Sequence, residues 1–255
     1  MSLLIKFPSR GRPDQLFSIA SKYVEYAADI ANICVLISLD SDDTTATPEF
    51  IEKLKGIHPN IKVVLGVSSG KIDAINRDIP STFQILLLAS DDMVPLKKGY
   101  DTLIHQKMMK HYPDTDGVLF FNDGFHKDKL NTIVICGAKY YKRFGYIYYP
   151  GYKSLWCDNE FMDVANLLKK QTYFPEVIIK HEHPGTNSAV IFDETYTRNQ
   201  VFYFEDEALY FSRRSIVSKM YNPPLIPNIG QTLRMPTSSW TSPIKLPPVS
   251  IRIRR

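Results

Sequence analysis

Cysteine is scarce in this 255-residue chain. Cys34, Cys136 and Cys157 are odd in number and form no C-x-x-C spacing, which excludes a disulfide framework and a cysteine zinc site and fits a reducing compartment. Long apolar runs are missing as well. The longest, residues 85–89, falls far short of the ~20 residues that a membrane-spanning helix requires, and no basic, apolar, small-residue leader opens the chain. The expectation is a soluble, unsecreted, cytoplasmic protein. Neither G-x-x-x-x-G-K-[ST] nor G-x-G-x-x-G occurs, which removes a P-loop and a Rossmann dinucleotide site. Acidic residues are absent from 222–255, where Arg234, Lys245, Arg252, Arg254 and Arg255 stand among seven of the seventeen prolines. The first 221 residues hold 26 basic and 27 acidic side chains, so the net charge of +4 belongs to the tail and no nucleic-acid groove is indicated.

What is present is a regular alternation. With 44% hydrophobic residues, the chain can bury one large core or two small ones. From residue 1 to about 221, short apolar runs alternate with amphipathic segments, the pattern of an α/β layer fold with a mostly parallel central sheet. Strands are predicted at 3–7, 33–39, 61–66, 83–89, 117–121, 132–136 and 174–179, and helices at 14–32, 48–57, 71–78, 97–111, 158–169 and 205–220. The strand at 83–89 lacks polar alternation after Gln84 and is expected to be central and covered on both faces. Residues 222–255 are too proline-rich and aperiodic for a core element, so the reading is a domain over 1–221 and an extended or disordered arm over 222–255.

Open α/β sheets bind ligands beyond the carboxyl ends of their strands, and four such places are unusually polar. They are Pro8-Ser9-Arg10-Gly11-Arg12, Asp40-Ser41-Asp42-Asp43, Ser68-Ser69-Gly70-Lys71 and Ser90-Asp91-Asp92. Adjacent carboxylates ending an apolar strand need solvent, a helix terminus or a cation, and Asp91-Asp92 suits a hard magnesium or manganese ion as well as it suits a turn. Gly70-Lys71 opening a helix, with Arg10 and Arg12, offers donors and cations to phosphate, or an ordinary charged surface. His181 and His183 stand two apart at a strand end, as metal ligands or as structural histidines. Asp158 and Glu160 open a helix beside Trp156, where an acid serves equally as a cap or as a proton acceptor. Tyr148, Tyr149, Tyr152 and Trp156 form an aromatic loop that fits either a sugar platform or core packing.

As an ordered set these residues resemble a GT-A glycosyltransferase, close to the inverting family 2 type and to the short forms of phage and large-virus genomes. The set is Pro8-Ser9-Arg10-Gly11-Arg12-Pro13, Asp40-x-Asp42, Gly70-Lys71 with Asn76, Ser90-Asp91-Asp92-Met93, Asp158-Asn159-Glu160-Phe161, and His181-Glu182-His183-Pro184. The resemblance implies a GT-A three-layer sandwich, and it places the metal of a D-x-D-type motif on Asp92. Ser90 departs from that motif and passes the ribose contact to Asp91. It further implies a nucleotide pocket from Pro8, Ser9, Arg10, Asp40 and Asp42, with Lys71 and Asn76 beside the nucleotide. Asp158 is the implied base, ahead of Glu160, and His183, ahead of His181, completes the metal shell. The implied cofactor is Mn2+ or Mg2+, the donor a UDP or GDP sugar, and the acceptor a glycan, lipid or protein hydroxyl, with Tyr152 and Trp156 as acceptor contacts. The tail would be an arm able to join copies of the chain. Two other functions remain open on the residues alone: a nucleotidyltransferase making sugar nucleotides, whose glycine-rich N-terminal signature is missing here, and a non-catalytic glycan-binding module.

Overall fold

Period-two alternation along the apolar runs sorts side chains onto the two faces of a central sheet. A computed structural model describes residues 2–182, 197 and 200–221, and the expected tail lies outside them. Its strands are β1 (Leu3–Ser9), β2 (Ile33–Asp40), β3 (Ile61–Gly66), β4 (Ile85–Leu88), β5 (Met93–Pro95), β6 (Val118–Phe121), β7 (Ile135–Gly137), β8 (Gln171–Phe174) and β9 (Ile179–His181). Its helices are α1 (Pro13–Tyr26), α2 (Pro48–Lys55), α3 (Lys71–Asn76), α4 (Tyr100–His111), α5 (Ala138–Lys142), α6 (Cys157–Leu167) and α7 (Tyr203–Tyr221). Seven strands form one sheet in the order β3-β2-β1-β4-β7-β6-β8, parallel except where β7 runs against β4 and β6.

The odd-numbered residues Leu3, Ile5 and Phe7 join Ile33, Val35, Ile37, Ile85 and Leu87 in one apolar layer with α1, α2 and α4. Leu4, Leu36, Leu86 and Leu88 face the opposite layer, built from α3, α5, α6 and the tyrosine-rich loop. The result is the expected three-layer α/β architecture, with the strand after Gln84 buried on both sides. Among the described residues no helix is long and apolar enough to cross a membrane.

Three expectations change. The helix expected at 14–32 ends at Tyr26, because the buried Asp101 carboxylate takes the N–H groups of Ala28 and Asp29, both at 2.8 Å. The helix expected at 97–111 begins at Tyr100, after Gly99 in the left-handed region at φ 75°. The single strand expected at 174–179 is two strands: Pro175, which has no N–H to give a ladder, ends β8 in the main sheet. The chain then enters a separate two-stranded sheet, in which β9 runs antiparallel to β5.

Candidate active site

The small sheet brings together residues far apart in sequence. Met93 pairs with His181, and the Glu182 N–H donates to the Asp92 carbonyl at 2.8 Å, so the end of β9 lies against the acidic turn after β4. His181 Nε2 is 3.6 Å from Asp92 Oδ2, and the Ser90 hydroxyl donates to Asp92 Oδ1. Burial opposes ionisation of Asp92, but His181, Ser90 and Lys71 outweigh it and hold the carboxyl well below the ordinary carboxylate range. Burial likewise opposes charge on His181, and Asp92 overcomes it and raises the imidazole. His183 lies outside the described residues, so the histidine that the structure sets beside Asp92 is His181. Among the described residues no group of three or more His, Cys, Asp or Glu side chains is arranged around a common point.

Asp91 points the other way. Its carboxylate accepts from the Ser9 hydroxyl and pairs with Arg12, both at 2.8 Å, tying the loop after β1 to the turn after β4. Burial and the neighbouring Asp92 charge raise its pKa against these partners. Pro8, still within β1, aligns with Ser38 of β2. Arg10 reaches Asp40 at 3.1 Å and grips both oxygens of Asp42, the longer contact being 2.9 Å. Asp40 is buried, and its Oδ1 has no hydrogen-bond partner, with Arg77 Nη2 standing off at 3.6 Å. A buried carboxylate oxygen without a hydrogen-bond donor is costly, and the Arg77 charge offsets part of that cost.

Lys71, exposed at the start of α3, acts electrostatically on Asp92, His181 and Asp158 and so faces the middle of the site. Asn76 does not. Its amide donates to the Tyr148 carbonyl at 2.7 Å and accepts from Ile147 and Tyr148 N–H at 2.9 and 3.2 Å, so all its capacity towards that side goes into holding the tyrosine loop.

Helix α6 carries both candidate bases in its first turn, following Trp156 in the left-handed region at φ 62°. Asp158 is half-buried and accepts the N–H of Asn159 at 3.0 Å. Burial raises its pKa, against the opposing influence of Lys71 and His126. Glu160 is buried and committed: Tyr152 Oη, Arg213 Nε and Arg213 Nη2 all donate to it, at 2.7, 2.8 and 2.7 Å. The structure therefore does not leave Glu160 available as a catalytic acid or base. Nor does it offer Tyr152 or Trp156 to an acceptor. Tyr152 is 2% exposed with its hydroxyl on Glu160, and Trp156 is 7% exposed, stacked on Tyr210 of α7 at 5.3 Å. Core packing claimed these rings because α7 folds over the loop, its buried Asp206 accepting the N–H groups of Lys153, Ser154 and Leu155, each at 2.8 Å.

Two groups at this edge escaped the sequence reading. Asp123, after β6, is 1% exposed and gathers Phe125 N, His126 N, His126 Nδ1 and Thr132 Oγ1 within 2.8 Å. Burial works against its ionisation, but these donors bring its pKa down to about 2. The other is Lys6, whose only sequence signal is a cation inside an apolar strand.

No protein-family profile and no curated sequence matches the chain. Solved structures do. S. aureus TarS superposes with a TM-score of 0.59 at 13% identity over 88% of this chain, which spans 40% of that protein. The Pyrobaculum calidifontis mannosyltransferase PcManGT, in complex with GDP-Man and Mn2+, gives 0.58 at 12% identity, covering 86% of this chain and 68% of that one. TarS 1-349 in complex with UDP gives 0.57 at 13% identity, over 86% and 73%. The protein thus has the GT-A fold of these glycosyltransferases.

Proposed function

We propose that the protein is a metal-dependent glycosyltransferase that moves a sugar from a nucleoside diphosphate sugar to a hydroxyl acceptor, with inversion and with Asp158 as base. The observation that carries this reading is the contrast at one sheet edge: Asp92 set against His181, and Asp158 held by backbone N–H alone within electrostatic reach of the same lysine, Lys71. The fold neighbours support it, since PcManGT was solved with GDP-Man and Mn2+ and TarS with UDP and UDP-GlcNAc.

Asp92 and His181 suit a manganese or magnesium ion, because hard cations accept one or two protein ligands and complete their shell with phosphate oxygens and water. Such an ion, when bound, neutralises charge on the departing diphosphate. The Asp40 carboxylate, backed by Arg77, receives an N–H of the donor base, and Asp91 fixes the loop that carries Ser9 and Arg10 around it. Asp158 takes the acceptor's hydroxyl proton as that oxygen bonds to the anomeric carbon. The bond to the diphosphate breaks on the opposite face, its electron pair leaving with the phosphate oxygen, and no covalent enzyme intermediate is required.

Thermal shift with UDP, GDP and their sugars, each with manganese, magnesium or chelator, tests the donor site on wild type and Asp92→Asn. A nucleotide that binds the folded state raises the midpoint by mass action. The expected result is a rise that needs metal and disappears in the variant, with nucleoside diphosphate as the product released from the sugar nucleotide. No rise with any nucleotide at millimolar concentration, or release of pyrophosphate from a nucleoside triphosphate, overturns the reading.

A further inference from the structure

Lys6 is the only buried lysine or arginine among the described residues, and its exposure is 0%. The alternation of β1 turns it, with Leu4, towards the layer that holds α3. The other buried charges there are carboxylates met by N–H groups or arginines. Lys6 meets no carboxylate directly: its Nζ donates to the Ser38 hydroxyl on β2 and to the Arg77 carbonyl at 2.8 Å. A methionine of similar length would fill this space without the cost of burying an ammonium group, so the ammonium matters for what it holds.

What it holds leads to Asp40. Ser38 Oγ donates to Asp78 Oδ2 at 3.1 Å, and Arg77 Nη1 meets the same oxygen at 2.6 Å. Arg77 is fixed further by Ser68 Oγ at 2.8 Å and by the Leu39 carbonyl at 2.7 Å, which sets its guanidinium in an ion pair 3.6 Å from the buried Oδ1 of Asp40, an oxygen with no hydrogen bond of its own.

We propose that Lys6 is a positioning residue for the donor's nucleobase: by anchoring Ser38 and Arg77, whose guanidinium backs Oδ1, it holds the Asp40 carboxylate in place to accept an N–H of the base. The inference rests on the glycosyltransferase reading above and adds to it a residue that reaches the ligand only through others. Lys6, Arg77 and Arg10 also face Asp40, Asp42, Asp43 and Asp78, three cations against four carboxylates. Loss of the Lys6 proton adds one more negative charge to this end of an anion-binding site.

Burial brings the Lys6 pKa down to about 8, with Asp78 opposing that change and Arg77 adding to it. The sign for binding follows. Below about 8 the ammonium is charged and the pocket is set; as pH rises through that value, affinity for a nucleoside diphosphate falls. Folding stability moves oppositely, because the unfolded lysine keeps its proton up to 10.5 and binds more protons across that interval.

Calorimetric titration of UDP and GDP with manganese, from about pH 7 to 8.5, on wild type, Lys6→Met, Ser38→Ala and Asp40→Asn tests this. Wild-type affinity is expected to fall several-fold across the range. Lys6→Met is expected to bind about tenfold more weakly at pH 7 and to lose the pH dependence, on the scale of one buried charged hydrogen-bond group. Its KM for donor hydrolysis should rise with kcat nearly unchanged, a split that general loosening of the fold would not give. Ser38→Ala, which breaks the link to Asp78 and leaves the lysine, should lose part of the affinity. A folded Lys6→Met with wild-type affinity and pH profile overturns the inference, as does an unaltered Ser38→Ala if Lys6→Met fails to fold. In either case, weakened binding by Asp40→Asn shows the donor site standing without Lys6. Wild type that binds neither nucleotide overturns the donor site itself, and the inference with it.

Discussion

On the β1–β2 side of the sheet edge, Asp40, Asp42 and Asp91 are held by Arg10 and Arg12, whereas on the α6 side Asp158 has the adjacent Asn159 amide as its hydrogen-bond donor. The contrast repeats within one helical turn, where Glu160 takes three side-chain donors, two of them from an arginine, and Asp158 takes backbone N–H. A carboxylate gripped by arginines has its lone pairs engaged and orients its surroundings; one that is half-buried and held by backbone amides alone is raised in pKa by burial and has lone pairs left for a proton. Chemistry at this edge thus divides by hydrogen-bond supply rather than by residue type.

The hardest test of that division is Asp158→Asn. Turnover measured as nucleoside diphosphate release should fall by roughly 10²–10⁴ while donor affinity persists, because a general base contributes about that much. In wild type the rate should rise with pH through a pKa above the ordinary 3.8 of an aspartate, since the deprotonated form is active and burial raises it; the variant should lose that limb. Equal turnover in both would remove Asp158 from the reaction. Next in size, Arg213→Ala strands a buried glutamate and should cost about 3 kcal/mol of stability, read by denaturant unfolding. If Glu160 is a clamp, the pH profile of turnover will not move. The smallest effect belongs to Trp156→Phe. Its Nε1 is buried without a partner, so losing that N–H offsets part of the lost ring area, and a change within about 1.5 kcal/mol with unaltered donor binding is expected. A large loss of sugar-dependent turnover would return this ring to the site.

The layers were legible because alternation alone separates Leu3, Ile5 and Phe7 from Leu4, and because the run after Gln84 has no polar face. The pairing of β9 with β5 was not, since a three-residue strand leaves almost no periodic signal and Pro175 falls inside a run that otherwise reads as continuous. Asp91-Asp92 and the Arg10–Asp40 neighbourhood stood out as polar residues after apolar strands. Asp158 was set ahead of Glu160 by the family resemblance alone, because the residue that separates them physically, Arg213, comes from α7. Tyr152 and Trp156 suggested a platform for the same reason: aromatic content is visible in a sequence, and the helix that covers it is not. Lys6 is the reverse case, a charge that periodicity places inward and that only its partners explain.

The backbone bond from Glu182 to Asp92, with the Met93–His181 pairing beside it, makes the meeting of imidazole and carboxylate a property of the main chain. The two positions behave as a socket whose spacing is set before any side chain is chosen. Replacing either residue changes what the socket grips without changing where it sits.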